Sequence, residues 1–509
     1  MKRILSFVLV LFSLVLLVGC SKQTKTLSVG LEAGYEPFNW TQPKQTKTNF
    51  KLADGAGFVE GYDVFVAKEL AKKTGKKLII KKIDWDGLIP ALKSKSIDLI
   101  IAGMTKNEER EKEISFTSPY YSSEIVMVLK KTSPYLNKTV LSEYGNATIA
   151  SQKGTIYSDI SKRNFGLKSP GSKIVELDSY SDMLTHVRNN ICDFFIAEYP
   201  VASNMVKNIE ELTLIPLTTI TDFEKLEKIP VNIGVRKDDH ELREEINSVL
   251  DSISEELRQQ EMNSAISLFH NEIVKKPNLF EKYALMFLKG IAITLLLSIV
   301  GTFGGLGLSF GLLSLRNLKV DKKRDNWLKK AIKYIGMGFA KGYITIVRGT
   351  PMMVQAMIVF FGLAPILSKS FWTPLVASLF IVTFNTTAYI AEILRSGINA
   401  IDNGQMEAAR SLGFTKRQAN HLIIYPQALK NSLPSIGNEF IVNLKDTSVL
   451  TVIGLTDLFS VGRIVGHETY KVVGAFLVVA LIYLVLTYFT SMLINYLDKR
   501  RQKGGIQNA

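Results

Sequence analysis

Cysteine is nearly missing from this sequence: Cys20 and Cys192 are the two in 509 residues, too few for a disulfide framework. Histidine is almost as scarce, and His186, His240, His270, His421 and His467 have no ligand-like spacing, so no metal site is expected. A glycine-rich loop followed by Lys-Ser/Thr, the phosphate cradle of a nucleotide-hydrolysing domain, is also lacking. Gly301, Gly304, Gly305, Gly307 and Gly311 come nearest to one, but inside an apolar helix such glycines are better read as close helix packing. Acid is outnumbered by base, 47 residues to 62, for a net charge of +15. No nucleic-acid partner follows, because the basic residues gather in short segments beside apolar runs, as the positive-inside rule requires of a membrane protein. Charge itself vanishes from 290–315, 349–368, 370–391 and 472–497, each near or above the roughly 20 residues that span a bilayer. A weaker fifth block, 436–455, carries Glu439, Lys445 and Asp446, and charges at such depth are functional by default.

What is present divides the chain. Residues 1–19 have a Lys2-Arg3 start and an apolar stretch too short for a mature span, the form of a secretion signal. Leu17-Val18-Gly19-Cys20 has the form of a lipobox, which would make Cys20 a lipidated N-terminus before the polar linker 20–25; the alternative is an uncleaved anchor with a chance cysteine. From 26 to 276, short apolar strands alternate with amphipathic helices, the pattern of a soluble α/β unit. Strands are predicted at 27–31, 77–83 and 97–102, with helices at 64–74 and 88–94. Ligands in such sheets bind at the carboxyl ends of the strands, so the residues after each strand are the ones to inspect. Cys192 lies in an apolar run and reads as a small buried hydrophobe.

Those residues are Glu32-Ala-Gly-Tyr-Glu-Pro-Phe38, Gly61-Tyr62-Asp63, Asp84-Trp85-Asp86-Gly87, Gly103-Met104-Thr105 leading to Arg110, and Phe116-Thr-Ser-Pro119. Together they resemble the amino-acid-binding proteins of ABC importers, which have the two-lobed type II periplasmic-binding fold. The resemblance implies a first lobe from 26–121 and 219–276 and a second from 122–218. It further implies that Arg110 takes the α-carboxylate beside Thr105 and the backbone of Gly103, with Gly154 and Thr155 reaching it from the second lobe. Glu198 stands where the family binds the α-ammonium, usually with Asp. The chemistry is sound, since a guanidinium fork and a carboxylate let a zwitterion be desolvated with neither charge unpaired. Read without the family, Arg110 belongs to a solvated charge cluster and Glu198 to an exposed strand end. Tyr35, Trp85 and Glu32 are implied to face the ligand's side chain, which favours glutamine, arginine or lysine.

Between the apolar blocks lies a polar island, 404–434, that reads as helix, turn, helix: Glu407, Ala408 and Ala409 are good helix formers, Gly413 suits a left-handed stop, Thr415 can cap the next helix, and Pro426 and Pro434 punctuate the way out. Alone it is a connecting loop on a membrane protein's inner face. Its spacing, Glu407-Ala408-Ala409, three residues, Gly413, nine residues, Ile423 and then Tyr425-Pro426, resembles the EAA loop of ABC importer permeases, with Tyr425 where that family has Leu. The resemblance implies a coupling helix seated in a separate ATPase subunit, which would hold the ATP and Mg, leaving no cofactor in this chain. Arg348-Gly349-Thr350-Pro351, with a Thr cap and Pro in a first turn, Gln355, Asn385 to Arg395 and Lys445-Asp446-Thr447-Ser448 are similar to the polar-amino-acid permease subfamily.

The fold class expected is therefore a two-lobed α/β binding domain (26–276) followed by an all-α transmembrane domain of about five helices (277–509). The function implied is ATP-driven import of polar amino acids by a non-enzymatic subunit in the cell membrane, paired with a second copy of itself, with the binding domain outside and the EAA loop and C-terminus inside. A ligand-gated channel of the glutamate-receptor type is the alternative, but such chains interrupt the binding domain with the pore. An enzyme on this fold is a further rival, without a candidate nucleophile.

Overall fold

The computed structural model describes residues 26–506 apart from 54, 56, 178, 225–227, 275–278, 319, 322–324, 369–370 and 470. The signal segment, Cys20 and the linker to 25 lie outside the described residues, as does part of the linker expected at 271–278.

Two five-stranded sheets build the N-terminal half. The first has the spatial order Lys77–Lys82, Thr26–Leu31, Leu99–Ile100, Ile229–Val235, Ser115–Ser123, with Ile229–Val235 antiparallel to its neighbours. The second runs Lys173–Leu177, Thr148–Gln152, Phe194–Glu198, Ile125–Lys130, Leu212–Pro216, with Ile125–Lys130 antiparallel to its neighbours. Parallel strands covered on both faces must be apolar throughout, and Leu27 to Leu31 and Phe194 to Glu198 are buried without a break. One core runs from the first sheet (Val29, Ile80 and Leu99) to one face of the second (Val128, Ala150 and Phe195), and another, with Leu129, Ile149 and Phe194, lies on the second sheet's other face. The chain crosses between them twice, from Ser115–Ser123 into Ile125–Lys130 and back between Leu212–Pro216 and Ile229–Val235. Two lobes on two crossovers make a cleft that can open and close.

The strand predicted at 97–102 pairs only over Leu99–Ile100. After the first strand the chain also makes an unpredicted four-stranded sheet of Gly34–Tyr35, Asn39–Gln42, Phe58–Glu60 and Phe50–Lys51. Its strands are too short and too rich in polar residues for alternation to show. The predicted helices at 64–74 and 88–94 form as Tyr62–Lys73 and Trp85–Lys93.

The C-terminal half is helical, with three helices among the described residues long and apolar enough to cross a membrane and up to five spans if two bent pairs count as one each. Gly301, Gly304 and Gly305 of the Leu279–Arg316 helix lie against Val382, Thr383 and Thr386 of the Pro374–Asn399 helix, where a β-carbon would come within 2.3, 2.9 and 3.1 Å of their side chains. Those three do pack helices closely, as expected. Gly307 and Gly311 do not: nothing lies within 4 Å of theirs.

Two expectations need correction. The charge-free block 349–368 is no straight span: Met352–Leu363 is 12 residues long and meets the Trp327–Gly349 helix at 114°. That partner helix had been hidden in a basic stretch whose lysines mask its apolar face. Thr350 does not cap the second helix; it ends the first, its hydroxyl donating to the Ile346 carbonyl at 2.9 Å. The carbonyls freed by the bend are taken up by Gln355, whose amide donates to Val347 and Thr350 while accepting from Asn385 at 3.0 Å. Irregular backbone at membrane depth needs such internal partners.

The polar island folds as Asn403–Ser411, a turn and Lys416–Ala419. Gly413 takes φ +86° and Thr415 makes a capping box with Gln418, as their positions predicted. The island ends earlier than residue 434, however: Pro426 opens the Tyr425–Asp446 helix and Pro434 lies inside it. Ala409 is buried beneath the elbow, whereas Glu407 and Ala408 are exposed and Leu412 is 78% exposed.

Candidate functional site

Strand ends from both lobes converge on one cleft. Glu32 follows Thr26–Leu31, Gly103 and Thr105 follow Leu99–Ile100, Thr155 follows Thr148–Gln152, and Glu198 closes Phe194–Glu198. Asn107 caps the short Glu108–Glu113 helix by accepting from the Arg110 amide at 2.9 Å, and so sets the direction of the Arg110 side chain. Arg110 is 7% exposed. Its Nη1 donates to the Thr105 carbonyl at 2.6 Å, its Nη2 donates across the cleft to the Gly154 carbonyl at 2.6 Å, and its guanidinium lies 5.1 Å from the centre of the Trp85 ring. Burial lowers its pKa to about 10, so it is charged at neutral pH.

Glu198 is fully buried, not exposed, and accepts from the hydroxyls of Tyr35 and Tyr157. Burial pushes its carboxyl up to about 7, although both tyrosines pull it down. Tyr35 stacks on Phe38, centroids 5.2 Å apart and planes 7° apart, and also packs on Tyr180. Glu32 keeps some exposed surface, but burial of its carboxyl pushes it up to about 7 too, against the pull of Arg463. The pocket between Arg110, Trp85, Tyr35 and Tyr157 encloses about 20 Å³, so the lobes have to part to admit a molecule of amino-acid size.

The cleft thus brings together Glu32, Tyr35, Trp85, Gly103, Thr105, Arg110 and Thr155 as lining residues, with Glu198 behind the tyrosines. Two backbone groups are engaged otherwise than the resemblance implied. The Gly103 N–H donates to the Tyr120 hydroxyl at 2.9 Å, and Gly154 turns its carbonyl to Arg110. Tyr120 in turn donates to Asp63 at 2.7 Å, and Asn39 holds the other Asp63 oxygen at 2.7 Å, a buried brace under the strand end. Sequence reasoning missed Tyr157 and Tyr180. Tyr157 had a signal, since it stands two residues after Thr155, in the first turn of the Ile156–Ser161 helix that Thr155 opens.

The two halves of the chain touch. The Asp84 carboxylate accepts from Arg463 Nη1 at 2.8 Å, and the backbone of Gly454 lies so close to the Lys82 carbonyl that a β-carbon would come within 2.5 Å of it. Between them a cavity of about 590 Å³ is walled by Trp85 and Asp86, by Lys153 and Asp182 of the second lobe, and by Met353 and Ser448 of the helical half.

Residues 27–265 match the bacterial extracellular solute-binding proteins of family 3, and residues 335–503 match the binding-protein-dependent transport system inner membrane component. The probable glutamine ABC transporter permease protein GlnM of Bacillus subtilis is 35% identical over 227 residues, 44% of this chain and 97% of that protein. The chain belongs to the amino-acid ABC permeases. It carries a solute-binding domain fused ahead of the permease domain. The arginine transport system permease protein ArtQ of Bacillus subtilis is likewise 35% identical, over 42% of this chain and 91% of that one. Among solved structures, a Gly52Ala mutant of arginine-bound ArgBP from T. maritima is 30% identical, covers 45% of this chain and 96% of that one, and superposes with a TM-score of 0.37.

The chain is therefore an amino-acid ABC transporter subunit of the membrane, and the features that carry its chemistry are a binding cleft and a permease set against it.

Proposed function

We propose that this chain captures a polar amino acid outside the cell in its domain 26–276 and passes it through its own permease, 277–509, by a cycle that a separate ATPase drives. The observation that carries this reading is the closed cleft, in which a buried guanidinium fork and a buried carboxylate stand ready for a zwitterion directly above the permease. On binding, Arg110 would exchange its two carbonyl acceptors for the α-carboxylate. Glu198, with Tyr35 and Tyr157, would take the α-ammonium, so that each ligand charge finds a partner in the dry cleft. Thr105, Gly154 and Thr155 complete the carboxylate side.

The exposed Glu407, Ala408 and Leu412 beside the Gly413 turn support a docking elbow for the ATPase, which would hold the ATP and Mg. One permease domain per chain, where an importer uses two, supports a homodimer. The basic segments then lie inside, and Cys20 carries a lipid outside. Co-purification of the full chain with an ATPase, followed by reconstitution in liposomes, tests the reading: ligand-stimulated ATP hydrolysis supports it, and a ligand-gated ion current without hydrolysis refutes it.

A further inference from the structure

Arg463 is a lone cation on the Leu458–Thr469 helix of the permease, yet its nearest partners are acids of the binding domain. It pairs with Asp84 at 2.8 Å; Glu32 of the same lobe and Asp182 of the other are among the charges acting on it. The contact is fixed from both sides. Gly454, with φ +83°, brings the permease backbone against the end of the Lys77–Lys82 strand, one residue short of the loop that carries Asp84. Glu32 and Trp85 are shared walls: they line both the narrow ligand cleft and the cavity of about 590 Å³ that leads to Met353 and Ser448 of the permease. A side chain bound in the cleft would therefore meet Glu32, whose charge also acts on Arg463, while the Asp84 that pairs with Arg463 lines the adjoining cavity. Two cations drawn to the one Glu32 carboxylate repel each other, so Arg463 set near it weakens the hold on a cationic side chain.

We propose that Arg463 is a release residue: in the docked transporter its guanidinium, held beside Glu32 by Asp84, competes for Glu32 with the side chain of the bound amino acid, loosening that ligand toward the cavity above the permease. The inference rests on the proposed reading of Glu32 as the acid facing the ligand's side chain. A bridge that only glued the domains together would weaken docking when removed, without altering how tightly ligand is held.

The test is equilibrium binding of labelled arginine and of labelled glutamine to the full chain in lipid nanodiscs, for the wild type, Arg463→Ala, Arg463→Gln and Arg463→Lys. Removing the charge is expected to tighten arginine binding about tenfold, and glutamine binding less, while transport with the partner ATPase falls; Arg463→Lys should bind as the wild type does. Arginine affinity that is unchanged or weaker in both neutral variants overturns the proposal. Glu32→Gln separates the two ideas. If it weakens arginine binding and the Arg463 variants do nothing, only the release role fails. If Glu32→Gln also leaves arginine binding untouched, the reading of the side-chain pocket fails with it.

Discussion

Arg110 of the first lobe donates to the Gly154 carbonyl of the second at 2.6 Å, so the group proposed to bind the ligand's carboxylate also ties the cleft shut. Ligand binding and lobe closure then draw on the same guanidinium, and the bond to Gly154 has to break before a carboxylate can take its place. Arg110→Ala should accordingly abolish binding, with a loss of about 2–5 kcal/mol, the usual effect of removing one partner of a buried hydrogen-bonded charge pair. Calorimetry on the full chain in nanodiscs reads this directly. Affinity close to wild type would exclude Arg110 from the site.

A pH dependence follows from Glu198. Burial raises its carboxyl to about 7, well above the ordinary carboxylate range, so the free site begins to take up a proton as pH falls through 7. An ammonium ligand needs the ionised form and must therefore displace that proton. Affinity should fall by about tenfold per pH unit below 7 for this one acid, level off above 7, and be accompanied by proton release measurable in buffers of different ionisation enthalpy. Flat affinity between pH 5 and 7 would mean that Glu198 does not meet the ammonium. Glu198→Gln should remove this share of the slope and leave the share due to Glu32, whose carboxyl is also raised to about 7.

How much of this was legible in the sequence depended on how local each feature is. Gly413 and Thr415 are a stop and a cap that local position alone located, whereas Arg110 and Glu198 were found through the family resemblance, without which they read as a solvated charge cluster and an exposed strand end. Tyr157 escaped because its nearness to Thr155 in the chain does not say that its hydroxyl will meet a glutamate 41 positions on. The bend between Trp327–Gly349 and Met352–Leu363 escaped because a charge-free block reads as a straight span, whereas the helix next to it carries lysines that can extend toward water from an apolar stem. Arg463 was the least visible, with its partner 379 residues away in another domain, although a single arginine amid Phe-Ser-Val-Gly and Ile-Val-Gly was a mark worth noting.

The elbow makes a prediction of its own. Gly413 sits at φ +86°, and a β-carbon there would meet nothing within 4 Å, so any harm from a side chain comes from the backbone and not from a clash. Gly413→Val should strain the turn by about 1–3 kcal/mol, enough to move the exposed Glu407, Ala408 and Leu412 out of register. Ligand affinity should stay as it is while ligand-stimulated ATP hydrolysis drops severalfold. Normal stimulation in this variant would remove the elbow from the coupling path.

The choice of substrate turns on the acids at the mouth of the cleft. Glu32, Asp84 and Asp86 lie near one another there, and burial together with the two aspartates raises the Glu32 carboxyl to about 7 against the pull of Arg463 and Lys82. A ligand bringing a cation or an amide N–H to this place gives Glu32 a partner, favours its ionised form and gains a charge-assisted hydrogen bond. Trp85 already carries the Arg110 guanidinium on its ring, so it has one face fewer for a ligand than a free indole would, and Tyr35 is stacked on Phe38. Discrimination therefore has to come from charge more than from stacking. Glutamate or aspartate would set a second carboxylate beside Glu32, and a site that builds in such a like-charge clash rejects by repulsion as well as by lack of attraction. With labelled arginine or glutamine bound to the full chain, excess lysine should compete, whereas a hundredfold excess of glutamate should displace little. Glu32→Gln should narrow that gap from both sides, weakening arginine and strengthening glutamate. Tight glutamate binding with Glu32 intact would overturn this pocket.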